Sequence, residues 1–307
     1  MSGSNKKDKI LFEDITVSDL KQLCQDHDIG KLVNAPAMLS STWNLTRKIT
    51  TTKGSYVIKQ FYNPFTDKRI NFIQDTIYSL NNAGIKVPAP IINKTTGQCY
   101  SQIKQRIVQV TPFINSFPFK FMKEQIFHSG TILRKFHDTL QNNNDGPPSS
   151  YSTYPSLESL LRRITDITNI MTLEQKAMIT KKFDAVLKRL NARNLKELPH
   201  SIIHCDWHFW NQLYTKNGEI IGVIDLDKIQ RGERIHDVAT ALYYIYKLGP
   251  IEEIEKLSRH FLKGYGPLET KEKEYLPIAL ARVCLYLEKE PHHSKLIDSI
   301  LAGEISF

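Results

Sequence analysis

The stretch HCDWHFWN, residues 204–211, sets His204, Asp206 and Asn211 at the spacing H-x-D-x-x-x-x-N, and Asp225 follows 14 residues after Asn211. Phosphoryl transfer asks for such a set. A carboxylate orients an attacking hydroxyl and accepts its proton. An amide oxygen and a second carboxylate hold magnesium against phosphate oxygens whose charge would otherwise repel the nucleophile. Polar residues at fixed spacing amid apolar neighbours are costly to bury without a task.

The flanks position these residues. Ser201-Ile202-Ile203 is strand-like. Gln212-Leu213-Tyr214, the turn Lys216-Asn217-Gly218-Glu219 and the run Ile220-Ile221-Gly222-Val223-Ile224 predict a hairpin that ends on Asp225-Leu226-Asp227. A kinase site also needs a lysine on a strand to grip the α and β phosphates. Residues 37–61 alternate like paired strands about a turn at 51–55, and Lys59 lies on the return strand, the third of a small β-rich lobe.

Around these lie a helix at 17–27 and a helix at 68–82, whose Ile70, Ile73, Ile77 and Leu80 make a core-facing stripe. Two further strands are expected at 97–104 and 106–113, and Pro112 with residues 115–118 reads as a hinge. The expected division is a lobe at 1–114 and a second at 115–307. The second is mostly helical, with helices at 122–140, 157–170, 173–192 and from about 235 onward, and a polar loop at 141–156. The fold class is α+β, and a ligand is expected in a cleft between two such lobes.

Composition excludes several classes. Of the net +9, residues 1–149 carry +8 and residues 150–307 carry +1, with no dense basic run or aromatic interleaving of a nucleic-acid surface. No stretch is long and apolar enough for a membrane span, and MSGSNKKDKI has no apolar core of a secretory signal. Cys24, Cys99, Cys205 and Cys284 lack metal or disulfide spacing. The expectation is a cytoplasmic protein acting on a small molecule.

Taken together and in order, the motifs resemble the aminoglycoside phosphotransferase and choline kinase superfamily, small-molecule kinases with a bilobal protein-kinase-like fold. The resemblance covers residues 35–245. It runs through Ser41-Thr42-Trp43-Asn44, Val57-Ile58-Lys59, Ala83-Gly84-Ile85-Lys86-Val87-Pro88 and Leu133-Arg134-Lys135-Phe136-His137. It continues through HCDWHFWN, Gly222-Val223-Ile224-Asp225-Leu226-Asp227 and His236-Asp237-Val238-Ala239. Bacterial homoserine-kinase-like and spore-coat-associated kinase-like proteins look most similar. The resemblance implies ATP and Mg2+ as cofactors, with the γ-phosphate passing to a hydroxyl of an amino alcohol, amino acid, sugar or aminoglycoside-like acceptor. It implies Asp206 as base, Asn211 and Asp225 as magnesium ligands, and Lys59 at the phosphates, with Ser41, Thr42 and Asn44 in the nucleotide loop. His204 would be structural and Asp237 would brace the loop through backbone amides. Asp227 would be either a second acidic neighbour of the metal or a hydrogen-bonded turn residue.

This chain departs from the pattern at three places. Cys205 stands where the family usually has glycine, which is tolerable if its φ is negative. The loop at 39–42 has no glycine, and the helix after Lys59 offers Gln74 and Asp75 but no glutamate as its partner. Plainer readings are also defined. Trp207, Phe209 and Trp210 read as core or pocket wall, His208 and Cys205 as packing, and His292-His293 as exposed and idle. Two other functions compete: a kinase-like binding or structural protein, and a protein kinase. Only 11 residues separate Asp225 from Asp237, too few for an activation loop and peptide platform.

Overall fold

The computed structural model describes residues 15–39, 44–62, 65–149, 154–191, 195–305 and 307. Its contacts form two compact units, Met1–Ile70 with Pro88–Asn115, and Asn71–Val87 with Ser116–Phe307.

The smaller unit opens with α1 (Val17–Asp26), begun by a capping box in which Thr16 and Asp19 exchange side-chain and backbone hydrogen bonds. A five-stranded antiparallel sheet follows. Its strands are β1 (Ala37–Met38), β2 (Leu45–Thr51), β3 (Gly54–Gln60), β4 (Ser101–Ile103) and β5 (Arg106–Pro112), in the order β1-β2-β3-β5-β4. Leu20, Leu23 and Cys24 of α1 join Ile49, Ile58, Val108 and Val110 of the sheet in one core. The strand expected at 97–104 is reduced to Ser101–Ile103, because Gly97, left-handed at φ 72°, closes a turn by donating its amide to the Asn93 carbonyl, and residues 98–100 bend before pairing begins.

Helix α2 (Asp67–Asn82) has its first residues in the smaller unit and the rest in the larger. The larger unit continues with α3 (Lys123–Leu140), α4 (Leu157–Thr168) and α5 (Leu173–Asn191). Strand β6 (His200–Ile203) leads to the hairpin β7 (Gln212–Tyr214) and β8 (Ile220–Val223), and β9 (Gln230–Glu233) returns to pair antiparallel with β6. Helices α6 (Ile235–Leu248), α7 (Ile254–Tyr265), α8 (Thr270–Leu287) and α9 (Lys295–Ala302) complete the described chain.

Its core is built on close helix packing. Leu133, Phe136 and Leu140 of α3 are fully buried, each side chain contributing about 1.5–3 kcal/mol by leaving water. Helices α3 and α7 touch backbone to backbone. A Cβ on Gly130 would overlap the Phe261 carbonyl oxygen, and one on Gly264 would overlap that of Phe127. His292, expected at the surface, is instead 3% exposed, whereas His293 is exposed. The short turn Pro291–His293 packs its imidazole inward beside α5.

Candidate active site

Strand β6 is buried from Ser201 to Ile203 and delivers the chain into residues 204–211. What holds that loop is Asp237, in the first turn of α6 and fully buried. Its Oδ2 accepts the His204 amide at 2.7 Å and its Oδ1 the Cys205 amide at 2.9 Å. His137 Nε2, from α3, donates to Oδ2 at 3.1 Å, while Tyr265 Oη donates to His137 Nδ1 at 2.9 Å. Burial alone would raise the Asp237 carboxyl. The hydrogen bond from His137, together with the electrostatic influence of His137, His236 and His204, outweighs burial and keeps it below the usual carboxylate range.

Cys205 has φ 64°, not the negative value expected of a residue with a Cβ. The left-handed conformation costs a non-glycine residue about 1–3 kcal/mol and persists only where the surroundings impose it. Here the paired amide bonds to Asp237 impose it, and they turn the chain so that Asp206 leaves the core. Asp225 is also left-handed, φ 66° and ψ 54°, at the start of a short turn spanning Leu226–Lys228. Two such residues bracket the candidate chemistry.

The hairpin is tied to the loop at several points. Asn211 Nδ2 donates to the Asp206 carbonyl oxygen at 3.0 Å, which commits its nitrogen and leaves its Oδ1 as the outward donor atom. The Ile224 amide donates to the Asn211 carbonyl at 2.9 Å, bringing Asp225 beside Asn211. His204, fully buried, donates from Nε2 to the Ile224 carbonyl at 3.1 Å. Asp206, Asn211, His204 and Asp237 are thereby joined through hydrogen bonds and the intervening backbone, with Asp225 placed next to them by its neighbour Ile224. Asp227 is buried in the turn that follows Asp225.

Among the described residues, no three His, Cys, Asp or Glu side chains gather as a metal cage. One amide oxygen and one carboxylate are hard donors, and they suit magnesium completed by phosphate oxygens better than a metal held by protein alone.

One residue that sequence reasoning missed meets the candidate base directly. Lys228 Nζ lies 2.8 Å from Asp206 Oδ2, with the two side chains only 7% and 14% exposed. Its only advance sign is a lysine beside two aspartates in a turn between apolar strands. His208 Nε2 stands 3.8 Å from the same oxygen, and burial holds its imidazole below the ordinary value.

Aromatic side chains line the neighbourhood. Trp207 is core, 1% exposed, with Nε1 donating to Ser129 Oγ at 3.0 Å. Phe209 is fully buried and stacks on Phe119. Trp210 is 45% exposed and meets Tyr244 edge-on, and Tyr244 in turn meets His208. Burial and the nearby Asp206 charge push the Tyr244 hydroxyl up to about 12, so it remains a donor at neutral pH.

In the smaller unit, Lys59 sits on β3 opposite Thr46 and Gln109, on the face away from Ile58, with Nζ 5.2 Å from the Phe61 ring centroid. Asn44 Oδ1 accepts the Tyr62 amide at 3.2 Å. Ser41 and Thr42 lie outside the described residues.

Comparison with known proteins gives a consistent picture. The family model described as "Phosphotransferase enzyme family" matches residues 39–275. Homoserine kinase of Neisseria meningitidis serogroup B is 24% identical over 306 residues, covering 97% of this chain and 94% of that one. Homoserine kinase of a Bradyrhizobium species is 23% identical over 282 residues, covering 89% and 83%. Among solved structures, a microcompartment-associated aminopropanol kinase superposes with a TM-score of 0.72 at 17% identity, covering 94% and 95%. An AMP-bound spectinomycin phosphotransferase gives 0.62 at 18%, covering 95% and 90%. These last two likenesses establish the fold, a β-rich part followed by a larger helical part.

Proposed function

The chain belongs to the phosphotransferase enzyme family, and from that premise we propose that it transfers the γ-phosphate of ATP to a hydroxyl of a small, amine-bearing acceptor. Asp206 takes the hydroxyl proton as the acceptor oxygen bonds to phosphorus and the bond to the nucleotide breaks. Asn211 Oδ1 and the Asp225 carboxylate are the protein ligands to magnesium, which offsets phosphate charge when bound. Lys59, Ser41, Thr42 and Asn44 contact the nucleotide, His204 and Asp237 hold the loop, and Asp227 is a second acidic neighbour of the metal. Residues 1–114 serve the nucleotide, and residues 115–307 carry the catalytic loop and acceptor site. The four cysteines are buried and none is in a disulfide, which supports a reducing, cytoplasmic setting. No helix among the described residues is long and apolar enough to cross a membrane.

The observation that carries this reading is the anchoring of Asn211. With its nitrogen committed to the Asp206 carbonyl, a hard oxygen is left beside the candidate base. ATP plus magnesium is therefore expected to raise the melting temperature clearly more than either alone. A ligand at a hundredfold excess over its dissociation constant adds about 2.7 kcal/mol by mass action. Asp225→Ala should erase most of that synergy. A wild-type protein without synergy at millimolar nucleotide points instead to a kinase-like binding protein.

For the acceptor, the wall of Trp210, Tyr244 and His208 beside Asp206 supports an ammonium, which aromatic faces attract. Homoserine and aminopropanol, named for two of the similar proteins, each carry an amine and a hydroxyl. In an ATP-consumption screen, L-homoserine and 1-amino-2-propanol are expected to outpace 1,3-propanediol by at least tenfold in kcat/KM. Equal turnover of the neutral diol would overturn the amine preference.

A further inference from the structure

Lys228 has no part in the proposed chemistry, yet among the described residues it makes the shortest contact to the carboxylate of the candidate base. Its side chain is 7% exposed, and its hydrogen bond to Asp206 Oδ2 at 2.8 Å is its one hydrogen bond among the described residues. Removing a lysine ammonium from water is costly unless a partner compensates it, and Asp206 is that partner. No described residue hydrogen-bonds Asp206 Oδ1. The two carboxylate oxygens are therefore unequal, one bonded to an ammonium and the other without a hydrogen bond from a described residue.

We infer that Lys228 is the positioning residue for Asp206, fixing Oδ2 so that Oδ1 alone receives the acceptor proton. In the transfer, the acceptor O–H bond breaks with its proton passing to Oδ1, and the acceptor oxygen bonds to phosphorus. The bond from phosphorus to the bridging oxygen breaks, its electron pair leaving on the nucleoside diphosphate. His208, held neutral by burial and 3.8 Å away, is a weaker partner for Oδ2. The turn Leu226–Lys228 supplies the lysine from just beyond Asp225, so the segment that carries the candidate metal ligand also orients the base.

This inference rests on the kinase reading above, and the test separates the two. With Mg·ATP and the acceptor that responds best in the screen, Lys228→Met is expected to lower kcat about a hundredfold, within the usual range for a positioned acid–base group. KM for ATP should stay within threefold, because the lysine acts through the base and not on nucleotide affinity. Lys228→Arg should recover at least tenfold of the loss. Independently of turnover, Lys228→Met should lower the melting temperature by roughly 3–5 °C. Adding Asp206→Asn should restore most of it, since the carboxylate left uncompensated is then gone. A Lys228→Met enzyme within threefold of wild-type kcat would overturn the inference. So would a kcat loss matched by an equal rise in KM for ATP, or melting effects that simply add. A wild type that phosphorylates none of the alcohols sinks the kinase reading, while the melting cycle still decides whether the lysine and the carboxylate act as a pair.

Discussion

Asp206→Asn is expected to reduce kcat about a thousandfold while leaving nucleotide-dependent stabilisation within a few-fold of wild type. An asparagine keeps the backbone carbonyl that anchors Asn211 and the His208 amide, so the loop retains its shape. It loses the carboxylate proposed to accept the hydroxyl proton, and its neutral oxygen is a poorer partner for Lys228. Steady-state kinetics and a thermal-shift titration with Mg·ATP measure the two effects separately. Activity above a tenth of wild type would remove Asp206 as the base.

Asp237→Ala is expected to cost about 3–5 kcal/mol of stability, together with nearly all activity. The carboxylate satisfies two buried amides and a buried imidazole at once, and alanine leaves all three without it. Asp237→Asn should recover only part, because one amide oxygen accepts while the adjacent NH2 faces a second donor. Denaturant unfolding checks this. A midpoint for Asp237→Ala indistinguishable from wild type would show that the loop is held by other contacts.

Legibility in the sequence follows the range of the interactions. The spacing of His204, Asp206 and Asn211, the turn at 216–219 and the strand carrying Lys59 are local patterns, and each has an observed counterpart in residues 200–223 and in β3. The conformation of Cys205 was not legible. A local preference for negative φ is overridden by a carboxylate 32 residues further on. Lys228 was missed for the same reason, since its partner lies 22 residues back and meets it only once β6 and β9 have paired. Trp207 and Trp210 look alike in the string HCDWHFWN, but one is sealed in the core and the other open. The short 3-10 turn at Phe209–Asn211 separates their directions. His292 illustrates the same limit, a polar pair whose first member is drawn inward by packing against a helix more than 100 residues earlier.

The glycine contact between α3 and α7 bears on how such a chain can diverge. Gly130 lies two helical turns before His137 on the same face, and Gly264 directly precedes Tyr265, so the backbone contact sets the register of the pair that steadies Asp237. Neither glycine leaves room for another side chain, so natural variation has no small steps available there. Trp210 and Tyr244 stand on surfaces without that restriction, and Trp210 is nearly half open to solvent. Drift in sequence is thus channelled towards the wall proposed to meet the acceptor and away from the splint that holds the candidate base. Descendants of this fold can change what they phosphorylate far more readily than how.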